Sequence, residues 1–306
     1  MQERVQPAQG SEGEASSSDA RRGFLFAFTA YLLWGFLPLY MKAVDHIPPL
    51  EILVHRIIWS VPVAGVVLLA LGRTADIKTA FRSPRTLLMA AVTAAIITVN
   101  WGVYVWAISV DRTVETALGY YINPLVTVAL GALLLGERLG GLQRVAIGLA
   151  LVAVVVLTVD SGGLPWVSLV LAFSFAAYGY LRKTLPVGPS QGFFLEVLIL
   201  APVCVAYVVW LELAGQGHFF DSGFNVAMLL FAGPATAVPL ILYAFGAKLL
   251  RISTIGIMQY IAPTMIAVIG VFVFGEPFGP ARMAAFALIW LALVLYTWSM
   301  FFGRKR

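Results

Sequence analysis

Between positions 51 and 59 the chain sets a carboxylate, an imidazole, a guanidinium and an indole close together: Glu51, His55, Arg56 and Trp59. If this stretch is helical, Glu51, His55 and Trp59 share one face at a spacing of four, and Arg56 is turned about 100° away. Two chemistries suit the group. One is an ion pair that tethers a helix at a membrane rim, with Arg56 about 7–8 Å inside and able to snorkel back to the outer surface. The other is a gate or a proton-titratable site, because an imidazole changes charge near neutral pH. At an offset of 140, anchored by Pro62 and Pro202, Arg56 aligns with Glu196. That carboxylate is the counterpart gate candidate on the opposite side.

A second polar group surrounds two prolines. Tyr120, Asn123 and Thr127 fall at i, i+3 and i+7, one polar stripe on an otherwise apolar helix. Pro124 removes a backbone donor there and frees the carbonyl of Tyr120; Pro263 does the same for Gln259, next to Tyr260. Such a stripe either lines a solute cavity or forms a hydrogen-bonded seam between helices. Asn100 and Tyr104 share a face, as do Ser174, Tyr178 and Arg182, and Trp34 lies on a face with Tyr31, Pro38 and Lys42. A buried amide costs free energy unless paired, so Asn100 is expected to point inward. Trp34, Asn100, Trp101, Tyr104, Tyr120, Asn123, Tyr178, Gln259 and Tyr260 are the cavity candidates, although aromatics near helix ends also serve as interface anchors.

Other chemistries are missing their residues. No Gly-x-x-x-x-Gly-Lys-Ser/Thr loop is present, so the chain is not itself an ATP-driven pump. Three histidines (His46, His55, His218) and one cysteine (Cys204) offer no metal-binding spacing and no internal disulfide, and neither a metal nor a cofactor is expected. Gly188-Pro189-Ser190-Gln191-Gly192 matches a nucleophile-elbow pattern but follows no strand, and no acid–base pair converges elsewhere, so no enzyme activity is expected.

The elements that must position these groups are membrane helices. Apolar residues make up 60% of the 306 and charged residues 11%, and the mean hydropathy is +0.91. Lipid must therefore be the solvent for most of the chain. Ten segments are long enough to cross a bilayer: about 23–43, 52–71, 87–109, 114–135, 142–159, 165–184, 192–212, 226–249, 253–274 and 281–302. Residues 1–22, rich in Ser, Glu, Gly and Gln, read as a disordered tail rather than a signal peptide. Of the 20 basic residues, Lys42, Arg112 and Arg282 fall on the far side and Arg56 within a helix. The other sixteen fall with the termini, which places both termini in the cytoplasm. The net charge of +5 is scattered along helix ends and is no nucleic-acid footprint.

The string Tyr121-Ile122-x-Pro124…Gly131…Gly136-Glu137…Gly140 returns as Tyr260-Ile261-x-Pro263…Gly270…Gly275-Glu276…Gly279, at an offset of 139. Five crossings fit within the offset, and five is odd, so the second copy inserts upside down. The expected fold is an all-α integral membrane protein of ten transmembrane helices in two inverted five-helix repeats, residues 23–159 and 160–303. Such repeats, related by a pseudo-twofold axis in the membrane plane, accompany alternating access in transporters. Glu137 and Glu276, each just beyond a helix end, are expected to cap orphan amides at the start of the next helix. Gly136/Gly140 and Gly275/Gly279 are small-residue pairs that leave a homodimer open.

Several strings carry a family resemblance: Ala30-Tyr31-Leu32-Leu33-Trp34-Gly35, Glu51-Ile52-Leu53-Val54-His55-Arg56, Asn100-Trp101, Gly119 through Leu125, and Gln259-Tyr260-Ile261-Ala262-Pro263-Thr264. Over residues 23–302 the chain resembles the drug/metabolite transporter superfamily, its ten-helix EamA-type members, and among those the RarD-like proteins, commonly labelled chloramphenicol-resistance permeases. The resemblance implies a bacterial inner-membrane exporter of small organic molecules, amino acids, amphenicols or similar metabolites, with a cavity between the halves. Membrane lipid is its surroundings and nucleic acid is no partner. A non-transporting membrane sensor or partner protein, or a lipid-handling intramembrane protein, is the alternative class.

Overall fold

The computed structural model describes residues 10–302 apart from positions 73, 136–138 and 251. The chain runs through α1 (Gly10–Ala43), α2 (Pro49–Ala70), a short α3 (Ala75–Phe81), α4 (Pro84–Ser109), α5 (Thr113–Leu135) and α6 (Gly141–Ser161). It continues through α7 (Trp166–Thr184), α8 (Pro189–Leu213), α9 (Gly223–Leu249), α10 (Ile252–Met258), α11 (Ile261–Val268), a π-helical turn (Ile269–Val273) and α12 (Pro280–Phe302). Among the described residues nine helical stretches are long and apolar enough to cross a membrane, and Trp166–Arg182 is a shorter apolar tenth. The ten expected crossings are all helical.

Local chemistry sets the boundaries. Pro49, Pro84 and Pro189 stand in the first turns of their helices, where the missing N–H is no loss and the fixed φ suits the helix. Ser83 and Ser222 cap α4 and α9 by accepting from the amides of Thr86 and Asn225. Gly162, at φ 65°, ends α6 in the left-handed region.

Two expectations need correction. Residues 10–22 belong to α1 rather than to a disordered tail; acidic residues near the helix start, with Ala15 and Ala20 after them, favour the helix. The repeated proline helices also differ. α5 continues through Pro124, whereas its counterpart breaks at Gln259–Tyr260 and winds into a π turn beyond Val268. Just beyond the break the Tyr260 carbonyl accepts twice from Thr264, from its amide at 3.2 Å and from its hydroxyl at 2.6 Å.

The packing has the symmetry of an inverted repeat. Exchanging the halves maps α1 onto α7, α2 onto α8, α4 onto α9, α5 onto α10–α11 and α6 onto α12. Under that exchange the pair α1–α9 becomes α7–α4, α2–α9 becomes α8–α4, and α1–α11 becomes α7–α5; all six pairs are in contact. The pairs α2–α8, α5–α11 and α6–α12 map onto themselves and are likewise packed. Eight crossings surround the centre, and α6 with α12 forms a lateral pair. Side chains such as Leu133 (80% exposed) and Phe272 (82%) face outward. Such an apolar belt is stable only against lipid.

Candidate functional site

α2 carries Arg56 seven residues beyond its first residue, about 10 Å along the axis. The guanidinium does not snorkel to a surface; Arg56 is 3% exposed. Its Nε donates to the Thr236 hydroxyl on α9 at 3.0 Å, and its Cζ lies over the Trp101 ring on α4, 5.2 Å from the ring centre. Nη1 is buried without a partner. The titratable groups facing the cation are the hydroxyls of Tyr104, Tyr40 and Tyr120. Among the described residues no carboxylate pairs with it.

Two seams place these groups. On α2–α9, Gly233 brings the backbones together, so that an added Cβ would strike the carbonyl of Trp59. Ser60, which donates to the Arg56 carbonyl at 2.6 Å, lies on the same seam. On α4–α7, the Asn100 amide donates to the Leu171 carbonyl at 3.0 Å and to the Ser174 hydroxyl at 2.9 Å. Its oxygen accepts from Tyr120 at 3.2 Å. Asn100 is fully buried, and these bonds offset the cost of holding an amide there. The inward direction expected for Asn100 holds. Tyr104, 3% exposed, leaves its hydroxyl unpartnered.

From this group an aromatic column crosses the centre. The rings of Tyr104 and Tyr120 are 5.9 Å apart, Tyr120 and Phe175 6.0 Å, and Phe175 and Tyr178 6.2 Å. At its far end the Tyr178 hydroxyl donates to Glu196 Oε2 at 3.1 Å, and Arg182 Nε lies 3.2 Å from Glu196 Oε1. Glu196 is 1% exposed and stands seven residues beyond the first residue of α8, the position Arg56 holds on α2. The two aligned charges therefore occupy related sites and do not pair.

The remaining cluster residues close the end of the bundle distal to the termini. Glu51 does not pair with Arg56. It accepts from the His218 backbone amide and faces His218 Nδ1, both at 2.7 Å. His55 stacks on Phe219 at 5.0 Å and accepts from Trp59 Nε1 at 3.1 Å. His46 Nε2 lies 2.9 Å from Asn225 Oδ1, and the Asn225 amide donates to the His218 carbonyl at 2.9 Å. All three histidines of the chain thus touch or flank one segment, the α8–α9 connection, which straps α2 to the second half. At the same end Glu276 accepts from the amides of Thr113 and Val114 at 2.5 and 2.8 Å. The carboxylate is a cap as expected, but for α5 rather than for α12, the next helix in sequence. Glu137 lies outside the described residues.

The other candidates sit apart from Arg56. Asn123 donates to the Ala172 carbonyl at 3.0 Å, so this part of the polar stripe is a helix–helix seam. Trp34 packs with Tyr31 and Tyr243. Tyr260 lines a lateral cavity of about 440 Å³ with Tyr121, Trp290 and Trp298, and Gln259 stands at the neighbouring helix break. Thr236, Phe175, His218 and Phe219 were not singled out from sequence. The loop residues His218 and Phe219 carry no periodicity to mark them.

The comparisons with known proteins agree with this architecture. Residues 21–159 match the EamA-like transporter family. The chain is 44% identical to Protein RarD of Streptomyces exfoliatus, over 93% of this chain and 90% of the relative. It is 38% identical to the uncharacterized transporter YojE of Bacillus subtilis (strain 168), over 92% and 95%. It is 37% identical to Protein RarD of Escherichia coli (strain K12), over 95% and 98%. A crystal structure of a protein 21% identical to it superposes with a TM-score of 0.58, over 90% of this chain and 96% of that one, and so shares the fold. Coverage of nearly the whole chain at these identities, on a ten-crossing helical frame, makes this multi-pass membrane protein a RarD-like member of the EamA-like transporters in the drug/metabolite transporter superfamily.

Proposed function

We propose that the protein exports small organic metabolites or drugs across the bacterial inner membrane, as a secondary active or facilitative transporter working by alternating access. Its termini then lie in the cytoplasm, and the end closed by the α8–α9 strap faces outward. The observation that carries this reading is the aromatic column from Arg56 to Glu196, buried at its two charged ends and half-buried to exposed between them. It runs along the interface of the two halves, where a rocking motion would expose one end and then the other. The column joins one basic and one acidic site at symmetry-related depths. Aromatic walls with few polar groups between them suit a small amphipathic solute, such as an amino acid or an amphenicol.

Counterflow in proteoliposomes tests the reading. Vesicles loaded with unlabelled solute should accumulate the same labelled solute transiently, and empty-bilayer controls should not. Absence of exchange across a panel of amino acids, amphenicols and small metabolites would remove the proposal. Repeating the assay with and without an imposed pH gradient separates coupled from facilitative transport, since only a coupled carrier changes its steady state with the gradient.

A further inference from the structure

Arg56 carries a positive charge that the fold leaves unanswered. Burying a guanidinium is costly unless charge and hydrogen bonds are both satisfied. Here Thr236 takes Nε and Trp101 covers one face, while Nη1 remains buried without an acceptor. The groups facing it from α1, α4 and α5 are the hydroxyls of Tyr40, Tyr104 and Tyr120. Tyr40 is engaged with the Met228 carbonyl and Tyr120 with Asn100, but Tyr104 has an unused hydroxyl in the same buried region. Glu196 supplies no resident counter-ion, being held by Arg182 and Tyr178. Two buried donors therefore await an acceptor, and the walls beside them are the rings of Trp101, Tyr104 and Tyr120.

We propose that Arg56 and Tyr104 receive the carboxylate of the transported solute, and that the substrate class is a monoanion or zwitterion with an aromatic or apolar body. The proposal rests on the transport reading and sharpens it. One guanidinium balances one negative charge. A phosphate ester, carrying close to two at neutral pH, would bring an excess charge into a site with no second cation. A neutral amphenicol leaves the cation as uncompensated as before. Hydrogen bonds to a charged partner discriminate strongly in a buried site, so an acid should be preferred over its own amide by about tenfold or more.

The test uses the purified full-length protein with matched probes: 3-phenylpropionate, indole-3-acetate, the amides of both, and phenethyl phosphate. Tm is followed in detergent during titration, and the same solutes are offered in counterflow. The acids should raise Tm and exchange, with the amides and the phosphate ester at least about tenfold weaker. Arg56→Gln should erase the preference for acid over amide and also raise the Tm of the unliganded protein, because it deletes an unpaired buried charge. An arginine that only holds helices together would lower it. Tyr104→Phe, a smaller change, should weaken the acids alone, and settles the matter with the wild-type selectivity if Arg56→Gln does not fold. Equal responses to acid and amide, a preference for the phosphate ester, or no response to either acid would overturn the carboxylate site. If neutral solutes exchange while acids do nothing, the transport reading stands and this proposal fails. If acids bind selectively and no solute exchanges, the site stands and the transport reading fails.

Discussion

Glu276 shows how much a single side chain contributes when it acts far from its own place in the chain. Its carboxylate accepts from the first amides of α5, 163 positions away, and it is 4% exposed. A helix start leaves its first amides without partners, and a carboxylate there satisfies them and complements the dipole. Glu276→Ala would strand two buried donors, at about 1–3 kcal/mol each. The purified variant should therefore melt several degrees below wild type. Glu276→Gln keeps one oxygen as acceptor and should lie between the two. Differential scanning fluorimetry decides this, and equal melting of wild type and Glu276→Ala would show that the cap contributes nothing. The contrast with Arg56 is instructive: one buried charge is fully answered by the fold and the other is not. Substitution should destabilise at the first and stabilise at the second.

At the scale of elements, the seam between α2 and α9 sets where Arg56 stands. Gly233 lets the two backbones touch, and any side chain there meets the Trp59 carbonyl, which cannot swing aside. Gly233→Val should force the helices apart and cost about 1–3 kcal/mol, drawing Arg56 away from Thr236 and reducing exchange along with Tm. Gly148 on α6 has open space around it. Gly148→Ala should be neutral or raise stability by up to about 1 kcal/mol through helix propensity alone. A Gly233→Val protein with wild-type Tm and exchange would show that close approach at this seam is dispensable. The strap permits a second measurement. Phe219 stacks on His55 and lies 6.1 Å from the centre of the Trp59 ring. Phe219→Ala should speed hydrogen exchange in the 214–222 connection while sparing α5, and uniform exchange across both would deny the strap its own stability. Much of this level was legible in the sequence. The crossings follow from apolar length and from Pro and Gly at helix ends, and the alignment of Arg56 with Glu196 follows from the internal repeat. The partners were not legible. That Glu51 finds His218, that Glu276 caps α5, and that the chain breaks at Gln259–Tyr260 while α5 runs on are tertiary outcomes. They join residues more than a hundred positions apart or depend on what packs against a proline, and no local pattern encodes either.

The whole molecule is two copies of one five-helix unit, and its symmetry bears on what can move. The pairs joining the halves recur under exchange, so the second arrangement that the proposed alternating access calls for, with the ends interchanged, would reuse the same helix pairs. At the distal end His46 meets Asn225, a contact between the α1–α2 connection of one half and the start of α9 in the other. If transport requires this end to open, fixing that contact must stop it. The experiment replaces Cys204 with Ala, which is cheap for a small buried side chain, and places cysteines at both His46 and Asn225. A short bifunctional thiol reagent then bridges the two. Counterflow should proceed in the unbridged double variant, fall to the level of empty vesicles after bridging, and return on reduction. Single-cysteine controls should exchange throughout. Bridged protein that still exchanges would mean that the distal end need not open between the halves, and rocking about the pseudo-twofold interface would have to be abandoned as the mechanism.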